Sequence, residues 1–232
     1  LKAAIGRDCQ SELMANYTRT NVQEEWAFDG SQAGRRALKT KCLSYLMELD
    51  EEDVTDMAQA QFEQASNYTD KVGALRTLVH GGVDASHELK AFEEEFLSNP
   101  QVMDGFFSMQ ATTPSENALV LVKALENHSE FDGENPNKIR SLWGAFGGNT
   151  RAFHKADGSG YTYFADKVMY VDGFNPGVAG RIVAPFLKWN KMDTARAALM
   201  KAEIERMLAR EGVSKNLKEV LGKALEQKQL AA

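Results

Sequence analysis

Apolar residues recur along this chain at spacings of three and four, and that period is the strongest constraint on what it can fold into. Leu38, Cys42, Tyr45, Leu46 and Leu49 fall on one helical face, as do Val54, Ala58, Phe62 and Ala65. Val72, Leu75, Leu78 and Val79 continue the pattern, followed by Leu89, Phe92 and Phe96. Further stripes run through Leu119, Val122 and Leu125, then Ile139, Leu142, Trp143 and Phe146, then Leu217, Val220, Leu221 and Leu225. No sustained period-two alternation of β-branched residues interrupts them, so no significant sheet is expected. Successive helices with short connections pack as antiparallel pairs, each covering the apolar face of the next. The expected class is therefore all-α, an α-α superhelix or solenoid of antiparallel helix pairs. No repeat of fixed period is visible, so its repeats are degenerate.

Prolines supply the punctuation. Pro100, Pro136 and Pro176 each follow an Asn, and Pro114 follows Thr113. An Asn or Thr at the N-cap accepts a hydrogen bond from an orphan helix N–H, and Pro next to it lacks an N–H that had no intrahelical partner. Four of the five prolines thus predict helix starts, and Glu116 gives Thr113 the capping-box spacing. Pro185 lies in an apolar run and should kink or end its helix. Gly81-Gly82, Gly147-Gly148 and Asp157-Gly158-Ser159-Gly160 read as tight turns in which Gly supplies positive φ. The expectation is ten or more helices of ten to twenty residues. No long linker divides them, so residues 1–232 read as a single all-helical domain.

Composition narrows the function classes. Lys and Arg number 27 against 33 Asp and Glu, a formal charge of −6 that argues against a nucleic-acid protein. No run of 18 uncharged apolar residues suggests a membrane span. Cys9 and Cys42 are too few for a disulfide scaffold. Leu1, Ile5, Cys9, Leu13 and Tyr17 repeat every four residues from a start without Met. The chain is therefore expected to begin inside a helix, as a piece of something longer.

Reactive constellations are scarce. His87-Glu88-Leu89-Lys90-Ala91 has the first two residues of a zinc-peptidase helix, but Ala91 stands where the second imidazole is needed. His80, His87, His128 and His154 are separated, and the two cysteines form no zinc-binding pair. The Asp157 turn lacks the spacing of a phosphate or calcium loop. Cys42 sits on an apolar stripe and reads as core. The carboxylates at 50–56 and 93–95 read as solvated faces. Asn16, Asn67 and Asn127 head glycosylation-type triplets that read as inert. Arg140 and Arg181 stand out, each in the first turns after an Asn-Pro start. Such an Arg either forms a structural ion pair or presents its planar fork to a ligand carboxylate or carbonyl.

Several separated motifs, in order, carry a family resemblance. Asn135-Pro136-Asn137-Lys138-Ile139-Arg140-Ser141-Leu142, ending in Gly144-Ala145-Phe146, resembles the C-terminal helical domain of bacterial-type alanyl aminopeptidase (aminopeptidase N), in the gluzincin group of zinc metallopeptidases. Phe153-His154 with Asp157-Gly158-Ser159-Gly160-Tyr161, and Asn175-Pro176-x-Val178-Ala179-x-Arg181 followed by Pro185-Phe186, resemble it too. So do Gln61-Phe62, Asn67-Tyr68-Thr69-Asp70, Val102-Met103-Asp104 and Gln110-Ala111-Thr112.

The resemblance implies a distal part of a non-catalytic cap domain. In that family the cap closes an internal cavity over a thermolysin-like catalytic domain that removes N-terminal residues from peptides. The implied partners are that catalytic domain, on the same chain, and peptide substrate, with no nucleic acid and no membrane. No cofactor is implied for this segment, which alone should be inactive. Zinc is expected in the missing catalytic domain. The implied cleft-lining residues are Arg181 and Gly177, on the leaving side of the peptide, with Arg140 a further candidate for the same wall. Relatives usually carry a larger residue at the position of Gly177, which here would widen the pocket. The implied compartment is the cytoplasm, an organelle remaining open. The alternative is a stand-alone helical scaffold that binds another protein on its concave face without peptidase activity.

Overall fold

Asn99, Asn135 and Asn175 cap helices as their Asn-Pro pairs predict. Their side-chain oxygens accept from Val102 N at 3.3 Å, Asn137 N at 2.9 Å and Val178 N at 3.1 Å. A computed structural model describes residues 1–22 and 24–226, and within them every regular element is a helix. The all-α reading holds. The residues form two compact units, Leu1–Phe96 and a second beginning at Leu97.

The first unit contains α1 (Lys2–Asp8), α2 (Gln10–Thr20), α3 (Gly30–Leu46), α4 (Glu52–Gln64), α5 (Tyr68–Gly81) and α6 (Ser86–Phe96). Consecutive helices pair, α2 on α3 and α4 on α5, and α3 also packs on α5. The expected continuous first helix breaks at Cys9, which has φ −118° and ψ 21°. Leu1 is exposed, while Gly6 is buried so closely that a Cβ would lie 2.6 Å from the Tyr45 carbonyl oxygen. The stripe on α3 is also displaced. Leu38 is exposed, and the buried face is Lys39, Cys42, Leu43 and Leu46. Lys39 turns inward because Asp70 of α5 meets its ammonium at 2.9 Å. Cys42 is core as expected, and burial pushes its thiol pKa up.

The second unit contains α7 (Pro100–Ala111), α8 (Ala118–Leu125), α9 (Pro136–Ile139), α10 (Thr150–Phe153), α11 (Ser159–Asp172), α12 (Pro176–Ile182), α13 (Thr194–Ala209) and α14 (Lys215–Leu225). A π-helical turn, Arg140–Gly144, continues α9. A 3-10 segment, Ala184–Lys191, follows α12. The core is aromatic: Phe153 meets Phe164 edge-on at 5.5 Å and Phe186 at 5.7 Å. Several of these helices are shorter than expected, because Gly and Pro recur between residues 136 and 186. Pro185 does end its helix: α12 stops at Ile182.

Thr113 is a correction. It starts no helix; residues after it turn, Ser115 Oγ accepts from Asn117 N at 3.1 Å, and α8 begins at Ala118. At the Asp157 turn, Gly158 has φ +74° as expected. Gly160 serves close approach instead, since a Cβ there would lie 2.5 Å from the carbonyl oxygens of Ala152 and Phe153.

Candidate functional site

The two candidate arginines sit on adjacent segments of the second unit. Arg140 opens the π turn, and Arg181 lies on α12. These segments pack together, so that a Cβ on Gly144 would stand 3.7 Å from Ile182 Cγ2 and 3.8 Å from Arg140 Cβ. Both guanidinium-bearing residues are exposed. Among the described residues neither forms an ion pair with a carboxylate. Arg140 donates to Asn137 Oδ1, and no hydrogen bond of Arg181 is seen. The structural ion pair open on the sequence is therefore not made at either position.

The segment bearing Arg181 is held at its start from two sides. Asn175 caps it, and Asn216 Nδ2 of α14 donates to the Pro176 carbonyl at 2.6 Å. The α14 end is itself anchored, because Ser214 N and Oγ donate to the Asp172 carboxylate at 2.9 and 2.5 Å. Gly177 is exposed, with negative φ, and a Cβ there would meet only Asn175 Oδ1 at 3.6 Å. Sterics do not demand Gly at 177; its effect is the surface space it leaves open.

Arg140 is placed by residues the sequence reading did not single out. A π turn inserts one residue into the helical ladder and leaves backbone groups needing other partners. Ser108 Oγ donates to the Ser141 carbonyl at 3.0 Å, and Ser141 Oγ donates to the Lys138 carbonyl at 2.9 Å. Lys138 is buried, 3.1 Å from Asp104 and 5.3 Å from the Phe107 ring centroid. Trp143 Nε1 donates to Glu126 Oε1 at 2.8 Å, and Lys167 Nζ meets the same oxygen at 2.7 Å. Tyr163 OH donates to it as well, and burial followed by this carboxylate pushes the phenol far above its usual range. No sequence motif marks this cluster, since Glu126 follows α8, Trp143 lies in the π turn, and Tyr163 and Lys167 lie on α11.

The histidines remain apart. His154 Nδ1 pairs with Tyr161 OH at 2.8 Å, and burial, then Arg196 and Lys188, hold the imidazole below its usual pKa. Position 91 carries no ligand for a metal beside His87. Among the described residues no three His, Cys, Asp or Glu side chains gather as a metal site, so the donor set does not fit zinc. No helix among them is long and apolar enough to cross a membrane.

Comparisons with known proteins place the chain in a family. The chain is 35% identical over 206 residues to aminopeptidase N of Caulobacter vibrioides, covering 88% of this chain and 24% of that protein. It is 34% identical over 228 residues to aminopeptidase N of Escherichia coli, covering 97% of this chain and 26% of that protein. The chain thus spans about a quarter of the length of the curated relatives it matches, and corresponds to their C-terminal region. Among solved structures, Legionella pneumophila aminopeptidase A in complex with aspartic acid superposes with TM-score 0.88 at 29% identity, over 97% of this chain and 27% of that one. A family model described as a domain of unknown function (DUF3458_C) with ARM repeats matches residues 1–226. The chain belongs to this ARM-repeat family, found in the C-terminal region of aminopeptidases.

Proposed function

We propose that this chain is the non-catalytic cap of an aminopeptidase that removes N-terminal residues from peptides. In this reading it restricts access to the catalytic region and lines the leaving side of the cleft through Arg181 and Gly177, with Arg140 beside them. The observation that carries it is Arg181: an exposed guanidinium, without a carboxylate partner among the described residues, on a helix fastened at both Asn175 and Pro176. A fork so held, with no internal partner, is free to bind a carbonyl or carboxylate bidentately. Gly177, four residues earlier, leaves room for the departing peptide.

Zinc chemistry, a metal-activated water with a general base, belongs in this reading to the part of the relatives outside the matched span. The two compact units are one domain, supported by a single family model running across both. The partners are the catalytic region of the same chain and peptide substrate, and the compartment is the cytoplasm.

The test is kinetic. Arg181→Ala in the full-length protein should raise KM for peptides more than for single-residue anilides, which have no residue on the leaving side. Equal effects on both would overturn the assignment, and hydrolysis of alanyl-anilide by the 232-residue chain alone would overturn the non-catalytic reading.

A further inference from the structure

In the first unit α3 and α5 run side by side in the same direction. Gly73 of α5 lies against Thr40 of α3, and Gly81 lies against Met47, just past the end of α3. A Cβ on Gly73 would lie 2.7 Å from Thr40 Oγ1, so glycine is what lets the helices approach so closely. A groove of about 520 Å³ runs along them, a volume typical of specific binding sites. Its lining includes Ala37 and Thr40 of α3 and Val72 and Gly73 of α5. On α5 the lining residues recur at three- and four-residue spacings from Thr69 to Gly81, about 18 Å at the helical rise.

The charge of this lining is one-sided. Lys2, Arg36, Lys41 and Arg76 share it with a single carboxylate, Glu48, which Lys2 engages at 3.1 Å. Lys41 and Arg76 are exposed and form no ion pair among the described residues. Arg36 donates to Gln32 Oε1, a neutral group, at 3.1 Å. Three cations thus stand beside one groove without a carboxylate, in a chain whose formal charge is −6. They do not converge on a point. Arg36 and Lys41 are five residues apart on α3, about 7.5 Å along its axis, and Arg76 stands on the other helix. A compact anion is held by donors that converge on it, whereas cations spread along a groove complement carboxylates spread along a chain. The walls are helices whose amides past the first turn are already paired, so they offer an extended chain no backbone ladder. A helix arrives with its own backbone satisfied.

We propose that the groove between α3 and α5 docks an acidic amphipathic helix of a partner protein, with its apolar strip on Ala37 and Val72 and its carboxylates on Arg36, Lys41 and Arg76. The length of the groove suits a helix of about twelve residues. Ion pairs at such an exposed margin choose the partner and its orientation more than they add affinity, so the complex is of modest strength. The surface uses no residue of the leaving-side wall and goes beyond the cap reading.

The experiment titrates the 232-residue chain and the full-length protein, by calorimetry, with a helical peptide of four Glu-Ala-Ala-Leu repeats. Both should bind it with a Kd of roughly 10–100 µM, and the matching Lys-Ala-Ala-Leu peptide and tripolyphosphate should bind at least about tenfold more weakly. Lys41→Glu combined with Arg76→Glu should weaken the acidic peptide at least about tenfold and favour the lysine peptide, with circular dichroism unchanged. Ala37→Gln, which lengthens a side chain in the groove without changing its charge, should weaken the acidic peptide about tenfold. Tripolyphosphate binding as tightly as the acidic peptide would mean a simple anion site and overturns the proposal. Binding by the 232-residue chain but not by the full-length protein overturns it too, since the rest of the polypeptide then covers the groove. Unchanged affinity in the folded charge-reversed or Ala37→Gln variant overturns it as well.

Discussion

Asn216 donates its side-chain amide to the Pro176 carbonyl at 2.6 Å, tying the start of α14 to the first turn of α12. The contact depends on a glycine one residue before Arg181. A Cβ on Gly180 would lie 2.5 Å from Asn216 Nδ2, closer than van der Waals contact permits.

Gly180→Ala should therefore push the exposed Asn216 side chain aside, and the lost hydrogen bond, about 1 kcal/mol, should cancel most of the roughly 1 kcal/mol that the better helix propensity of Ala supplies. Asn216→Ala should cost about 1 kcal/mol for the lost hydrogen bond. Because both changes break one contact, the double variant should lose less than the sum. Urea unfolding midpoints of the three variants check this; strict additivity would show that Gly180 and Asn216 are not coupled.

Arg181→Ala should leave stability within about 0.5 kcal/mol, since the side chain is exposed and has no partner among the described residues. In the full-length protein, peptide KM should rise about tenfold, the scale of one charge-assisted hydrogen bond. Arg181→Lys should fall between the two, because it keeps the charge and loses the fork. Steady-state kinetics on peptides, beside thermal unfolding, separates the two effects.

Lys39 and Asp70 form a buried pair, so removing one partner leaves an uncompensated charge. Lys39→Met should destabilise the chain by about 3–5 kcal/mol, and Lys39→Met combined with Asp70→Asn should recover part of that loss. Denaturant titration provides the measurement. A loss below about 1 kcal/mol, the value of an exposed pair, would contradict the burial.

Alkaline pH should weaken the fold through its buried phenols. Tyr17 is pushed up to about 12 by burial and then by the Asp70 carboxylate, and burial pushes Tyr161 to about 12. Tyr163 is raised further. In the unfolded chain these groups ionise near 10. Raised folded values mean their stabilisation is fully present below about pH 10 and is lost as pH climbs toward 12. Stability should be flat to about pH 9.5 and then fall, by up to about 1.4 kcal/mol per pH unit for each tyrosine. Tyr17→Phe should flatten part of that fall, and phenolate absorbance followed against pH tracks the ionisation directly.

Helix class, the Asn-Pro starts and most buried stripes were legible because they depend on residues within a turn or two. Asn99, Asn135 and Asn175 cap through atoms two or three residues away, so spacing alone identifies them. Thr113 failed the same test because Ser115 offered its hydroxyl to a later N–H and moved the start of α8. Leu38 and Lys39 exchanged roles because the partner of Lys39, Asp70, lies 31 residues on. No periodicity reports a neighbour so distant. Arg140 and Arg181 were visible as residue types after helix starts, but their lack of a carboxylate partner among the described residues was not.

The sequence by itself determined an all-helical chain, the places where several helices begin, and the aminopeptidase motifs, since each rests on local spacing. Only tertiary structure decided which charges are buried, which guanidinium groups lack a carboxylate partner among the described residues, and that Glu126 gathers Trp143, Tyr163 and Lys167 around one carboxylate oxygen. It also decided that Lys39 and Asp70, 31 residues apart, meet as a buried pair. The reason is physical: hydrogen bonding and desolvation depend on distances across helices, and those distances are set by how the helices pack.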